Sequence, residues 1–199
     1  MNLPNILTLM RVVLTFTTTT LLFINYQYFA SIAVVVFFIA GITDWFDGYI
    51  ARKYNIITNF GKFMDALSDK IMVVTMFMTL FALNLYQEWT IFALICAIIS
   101  MSREFYISGF RMLASKKGVV IAAETLGKYK AAFQMYSIGA IIFAHAMRCD
   151  FLGMENTAMY KFWLNLSFYS GLATLGLATI LSIISALSYS IKYSSLMKE

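Results

Sequence analysis

The chain has 199 residues, of which 61% are hydrophobic and 13% charged, and it carries a formal net charge of +5. That apolar content exceeds what a soluble domain uses and marks an integral membrane protein. The basic residues are scattered between apolar runs and form no RNA- or DNA-binding motif, so nucleic acid is excluded as a partner and topology explains the charge.

At ~20 residues per span the length accommodates roughly six helices and leaves no room for a separate soluble domain. The opening MNLPNILTLMRVV lacks the basic, apolar and cleavage-site order of a secretory signal and is read as part of the mature chain. No charged residue occurs from Val12 to Thr43, and the polar, aromatic break INYQY divides that run. The expected first helix covers about Thr8 to Ile24 and the second about Tyr28 to Lys53. KYNIITN reads as a short loop before a third helix, about Phe60 to Leu85. A turn over Leu85 to Glu88 leads into WTIFALICAIISMS, which opens a fourth helix running to about Ser115. Lys116 to Glu124 is a basic connection, and a fifth helix follows from about Thr125 to Met147. RCDFLGMENTAMYK is a polar loop before a sixth helix, about Phe162 to Ile191.

There is no internal repeat or low-complexity tract, and Pro4 is the only proline. The expected architecture is all-α: one bundle of six transmembrane helices forming a single membrane domain over residues 1–199. With a cytoplasmic N-terminus, all fifteen Lys and Arg except Arg148 and Lys161 fall at or near the cytoplasmic side. Both termini are therefore expected in the cytoplasm. Cys96 and Cys149 have no CxxC spacing and read as small apolar residues rather than zinc ligands or a disulfide. His145, alone near the outer end of the fifth helix, reads as a packing residue.

The stretch TDWFDGYIARKYNIITNFGKFMDALSDK holds four of the ten acidic residues. Asp44 and Asp47 are three residues apart on the second helix and share a face; Gly61, Asp65 and Asp69 recur every four residues on the third. Counting from the connecting loop at ~1.5 Å per residue, Asp47 matches Asp65 and Asp44 matches Asp69, roughly 8 and 14 Å below the helix ends. Four carboxylates are thus expected to converge in a polar cavity open to the cytoplasm. Such a group needs protons or cations to neutralise it, and hard oxygens without nearby His or Cys favour Mg²⁺, Mn²⁺ or Ca²⁺ over zinc. Two divalent cations satisfy the charge count. The competing reading of one such Asp, an interfacial charge paired with a local Lys or Arg, weakens when four occur at these spacings. Gly48, Ala51 and Gly61 leave space beside the acids, either for helix packing or for a flat ligand, and Arg52 would suit an anionic phosphate.

Asp44, Asp47, Gly48, Ala51, Arg52, Gly61, Asp65 and Asp69 match D-x-x-D-G-x-x-A-R-(x)8-G-x-x-x-D-x-x-x-D, the signature of the CDP-alcohol phosphatidyltransferases, which the chain therefore resembles. The resemblance implies a six-helix membrane fold, usually a homodimer, with two divalent cations, Mg²⁺ or Mn²⁺, on the four aspartates. It also implies displacement of CMP from a CDP-linked lipid by an alcohol. Carried over, Asp44, Asp47, Asp65 and Asp69 are metal ligands and Asp69 is also the base. Gly48, Ala51, Arg52, Gly61, Asn5 and Thr8 line the CDP site.

The acceptor must be chosen elsewhere in the chain. Arg103-Glu104-Phe105 followed by Arg111, the segment Gly127-Lys128-Tyr129-Lys130, and the N-x-x-T-x-x-R of Asn5, Thr8 and Arg11 look like those of bacterial members that use sn-glycerol 3-phosphate. This implies CDP-diacylglycerol and glycerol 3-phosphate as substrates, membrane lipids as surroundings, and a multi-pass protein of the bacterial inner membrane. Arg103, Arg111, Lys128 and Lys130 are then expected to bind the glycerol phosphate, with Glu104 orienting the pocket or contacting the fifth helix. Lys116 and Lys117 read instead as contacts for anionic headgroups. The motif resemblance covers roughly residues 2 to 135; the last two helices match in hydropathy only. One departure is visible: Asp65-Ala-Leu-Ser-Asp69-Lys70 replaces the commoner D-P-x-A-D-K, leaving both carboxylates in place. Alternatives are a cardiolipin or inositol phosphate type of the same family, or a divalent-cation transporter, whose acids would be expected to continue across the bilayer.

Overall fold

The computed structural model describes the backbone of residues 3–53, 59–116 and 125–192, with side chains over 6–43, 61, 63–114 and 127–192. Among these residues there are six α-helices and no strand. They are α1 (Leu3–Phe23), α2 (Phe29–Lys53), α3 (Asn59–Ala82), α4 (Thr90–Lys116), α5 (Thr125–Asp150) and α6 (Ala158–Lys192). Single 3-10 turns occupy Gln87–Trp89 and Leu152–Met154.

The expected helices are all present, and their ends move for local reasons. Pro4 lies in the first turn of α1, where a missing N–H costs no intrahelical bond. α3 stops at Ala82, short of the expected Leu85, because Asn84 turns into the left-handed region with φ 50°. The Asn84 N–H donates to the Phe81 carbonyl and the Leu85 N–H to the Leu80 carbonyl, both at 3.0 Å. This pair of bonds is a Schellman cap with Asn in the usual glycine position, and Leu80 and Leu85 at the ends of the longer bond are buried. α5 continues to Asp150, past the expected Met147, and its last carboxylate caps the start of α2. Asp150 accepts from the Tyr28 N–H at 2.9 Å, the Ser31 N–H at 2.7 Å and the Ser31 hydroxyl at 2.5 Å. An anion placed there also complements the positive end of the α2 dipole.

Among the described residues, three helical stretches are long and apolar enough to cross a membrane: Ile6–Phe23, Gln87–Ala114 and Ala158–Lys192. Six spans were expected; the helices agree in number, and α2 adds a shorter apolar stretch, Phe29–Thr43. Burial on α1 is inverted relative to a helix of a soluble domain. On α1 the buried positions Thr8, Arg11, Thr15, Thr18 and Leu22 follow a three-four spacing, while Leu9, Met10, Val13 and Phe16 are exposed. The Thr15 and Thr18 hydroxyls donate to carbonyls one turn back, of Arg11 and Leu14, at 2.8 and 2.9 Å. Polar groups buried between helices with apolar groups outside suit a hydrocarbon surrounding.

The chain divides into two compact units, Met1–Gln87 with Ile138–Tyr169, and Glu88–Ser137 with Ser170–Glu199. In the first, α1 packs on both α2 and α3, and the hydroxyls of Thr19 and Thr79 meet at 3.2 Å. The Phe37 ring of α2 lies so near Gly139 of α5 that a Cβ there would sit 3.1 Å from it. In the second, α4 and α6 run parallel: Ser100 meets Thr179 at 3.4 Å and Tyr106 meets Ser190 at 3.0 Å. Ser137 of α5 donates to the Gly171 carbonyl at 2.7 Å.

Candidate active site

α3 is helical throughout Asn59–Ala82, so Gly61, Asp65 and Asp69 stand one turn apart on one face. Ala66 lies within this unbroken helix, at the position where the resembled pattern more often has proline. The Asp65 and Asp69 side chains are half-exposed, at 51% and 53%, and Ser68 between them is buried.

Arg11 of α1 reaches this face. Its side chain is 0% exposed, and one Nη donates to Ser68 Oγ at 3.0 Å and to Asp69 Oδ1. The other Nη points to Asp65 Oδ1 at 3.4 Å. Ser68 Oγ in turn donates to the Asp65 carbonyl at 3.0 Å, so its lone pairs remain for the arginine. A buried guanidinium needs counter-charge and acceptors, and this face of α3 supplies both. With both carboxylates ionised the trio still carries a net negative charge. Two half-exposed hard-oxygen donors one turn apart, with residual negative charge, fit a share in binding a divalent cation.

Asp44, Asp47, Gly48, Ala51 and Arg52 lie on the α2 helix. Their side chains and that of Asn5 lie outside the described residues, as do residues 54–58, expected as a loop, and so does the expected level match of Asp47 with Asp65 and Asp44 with Asp69. Thr8 is buried on the same face of α1 as Arg11.

The expected acceptor-binding residues fall in the second unit. Arg103 donates to the Ser185 hydroxyl of α6, and its guanidinium lies 3.9 Å from where a Gly127 Cβ would be. The helix-four arginine is thereby set beside the Gly127-Lys128 segment. Arg111 donates to the Tyr189 hydroxyl at 2.7 Å and lies 5.6 Å from the centre of its ring. Lys128 is exposed. Lys130, by contrast, is 2% exposed and ion-paired with Glu104, which makes the anticipated contact with the fifth helix.

Comparison with known proteins settles the lineage. The model for CDP-alcohol phosphatidyltransferase matches residues 1–188. The chain belongs to the CDP-alcohol phosphatidyltransferase family. The match runs well into α6, beyond the roughly 2–135 over which motifs could be quoted. Among its relatives, proteins named CDP-diacylglycerol–glycerol-3-phosphate 3-phosphatidyltransferase recur. That of Bacillus subtilis is 41% identical over 108 residues, 54% of this chain and 53% of the relative. That of Rickettsia typhi is 35% identical over 141 residues, 71% and 76% of the two chains. That of Haemophilus influenzae is 36% identical over 146 residues, 72% and 77%.

In this CDP-alcohol phosphatidyltransferase, Asp65 and Asp69, already aligned by α3, are bridged by a residue whose position was visible in the sequence but whose role was not. Arg11 was legible only as the last letter of N-x-x-T-x-x-R. Its lone positive charge on an otherwise apolar helix was the available signal for a buried acidic partner. Ser68 was legible as a departure from pattern. Ser185 and Tyr189, uncharged on an apolar helix, gave no comparable signal.

Proposed function

We infer that this enzyme transfers the phosphatidyl group of CDP-diacylglycerol to sn-glycerol 3-phosphate, giving phosphatidylglycerol phosphate and CMP in phospholipid synthesis. The observation that carries this reading is the complete eight-residue signature from Asp44 to Asp69 inside a family match over residues 1–188. Relatives named for that reaction support the choice of acceptor.

Asp44, Asp47, Asp65 and Asp69 are assigned to hold two divalent cations, Mg²⁺ or Mn²⁺, which when bound neutralise the diphosphate and stabilise charge on the departing CMP. Asp69 accepts the proton of the glycerol 1-hydroxyl as that oxygen bonds to the lipid-side phosphorus. The bond from this phosphorus to the bridging oxygen breaks, and its electron pair leaves with CMP. Arg11, bonded to Asp69 Oδ1, fixes the direction of that carboxylate. Gly48, Ala51, Gly61, Asn5 and Thr8 are assigned to line the cytidine diphosphate site, and Arg52 to its phosphates.

Arg103, Arg111 and Lys128 are assigned to the acceptor's phosphate, which a planar guanidinium can grip with two parallel bonds. Lys130 was expected in the same role. It is buried and ion-paired with Glu104, which supports assigning it to hold that pocket from the framework between α4 and α5. The proposal places the protein in a bacterial inner membrane as a multi-pass homodimer, its cavity and both termini on the cytoplasmic side.

The test is parallel incubation of the detergent-solubilised chain with CDP-diacylglycerol and radiolabelled glycerol 3-phosphate, inositol phosphate or phosphatidylglycerol. Label is expected in lipid only from glycerol 3-phosphate. Labelling from another acceptor in preference would replace the reaction while keeping the family, and cation flux in proteoliposomes without CMP release would point to a transporter.

A further inference from the structure

Two arginines assigned to the acceptor's phosphate are held by hydroxyl groups of one helix, and the chemistry of that choice has a functional meaning. Ser185 and Tyr189 are one turn apart on α6 and are buried at 0% and 1%. With Thr179 and Ser182, also buried, they continue a polar stripe along a helix whose opposite face carries exposed Leu177, Ile180, Ile184, Leu187 and Ile191. The stripe meets α4: Ser185 receives a bond from Arg103, and Tyr189 receives one from Arg111 at 2.7 Å.

A hydroxyl can fix a guanidinium without cancelling its charge, whereas a carboxylate fixes and neutralises at once. Tyr189 adds its ring face to Arg111, with the guanidinium carbon 5.6 Å from the ring centre, which restrains the plane of the fork while leaving its charge intact. The Nε of Arg111 is buried without a hydrogen-bond partner among the described residues, so the Tyr189 contact is the principal described anchor of this head group. Phosphate recognition by arginine depends on the plane and direction of the fork, not on charge alone.

We propose that Ser185 and Tyr189 are positioning residues that orient Arg103 and Arg111 for the phosphate of the acceptor alcohol, making α6 a determinant of acceptor affinity. This rests on the assignment of the two arginines to the acceptor phosphate. The role predicts an effect on one substrate only, because the hydroxyls act through the arginines and have no part in holding the CDP-lipid.

The experiment is steady-state kinetics of the detergent-solubilised full chain, varying glycerol 3-phosphate and CDP-diacylglycerol in turn. Tyr189→Phe retains the ring and removes the acceptor; Ser185→Ala removes the other, and Ser185→Thr restores a hydroxyl. Tyr189→Phe and Ser185→Ala are expected to raise KM for glycerol 3-phosphate about five- to tenfold each, with KM for CDP-diacylglycerol unchanged. Ser185→Thr is expected to recover most of the loss. An unchanged KM for glycerol 3-phosphate, or equal shifts in both constants, would overturn the positioning role while leaving the reaction intact. Absence of glycerol 3-phosphate-dependent CMP release by the unmodified chain would overturn the reaction and this role together. Should either variant unfold in detergent, the split between the two KM values in the other decides the matter on the same terms.

Discussion

Arg11 is the residue on which sequence and structure differ most in what they convey. In the sequence it is one cation in an apolar helix; in the fold it is fully buried and joins Ser68, Asp69 and Asp65 to α1. Spacing along α3 could reveal that Asp65 and Asp69 share a face, because that follows from helical geometry alone. It could not reveal which residue from another helix meets them, since that depends on how α1 packs. Replacing Arg11 by Gln should lower stability by about 2 kcal/mol, since bonds to charged groups are lost but their partners are half in solvent. A thermal melt in detergent checks this, and an unshifted transition would show that the contact contributes nothing. At Asp69 the expected effect is on rate. Asp69→Asn should reduce CMP release by about 10²- to 10⁴-fold if this carboxylate takes the proton, and full turnover by that variant would remove it from the role of base.

At the scale of elements, hydropathy and breaks located six helices, and their ends were displaced by capping contacts that no local pattern announces. Asp150 read as part of a polar loop, yet its carboxylate closes the start of α2 from 119 and 122 residues away in sequence. Asp150→Ala should cost about 1 kcal/mol, the usual worth of a helix cap, with turnover unchanged; a melt alongside the activity assay separates the two. Asn84 is the local counterpart. Its φ of 50° suits Asn or Gly and opposes a β-branched residue, so Asn84→Val should destabilise the end of α3 while Asn84→Gly is tolerated. Both substitutions can be ranked by the same melt. The α6 stripe was illegible for a different reason. Ser and Tyr are common in membrane helices as packing residues, and only the arrival of Arg103 and Arg111 from α4 distinguishes this pair from that background.

For the whole molecule, composition located the protein in a membrane, and exposed apolar residues around buried polar ones agree with it. Orientation rests on the distribution of Lys and Arg, and the two cysteines test it. Cys149 is exposed at the end of α5 and Cys96 is buried. With both termini in the cytoplasm, a membrane-impermeant maleimide should label Cys149 in intact spheroplasts, and Cys149→Ser should abolish the signal. Labelling only after lysis would reverse the topology. The reaction itself is most directly tested by CMP release from CDP-diacylglycerol by the purified chain, measured across glycerol 3-phosphate and Mg²⁺ or Mn²⁺ concentrations together. Release is predicted to require both and to stop on adding EDTA; release that persists with EDTA, or that ignores glycerol 3-phosphate, would contradict the account.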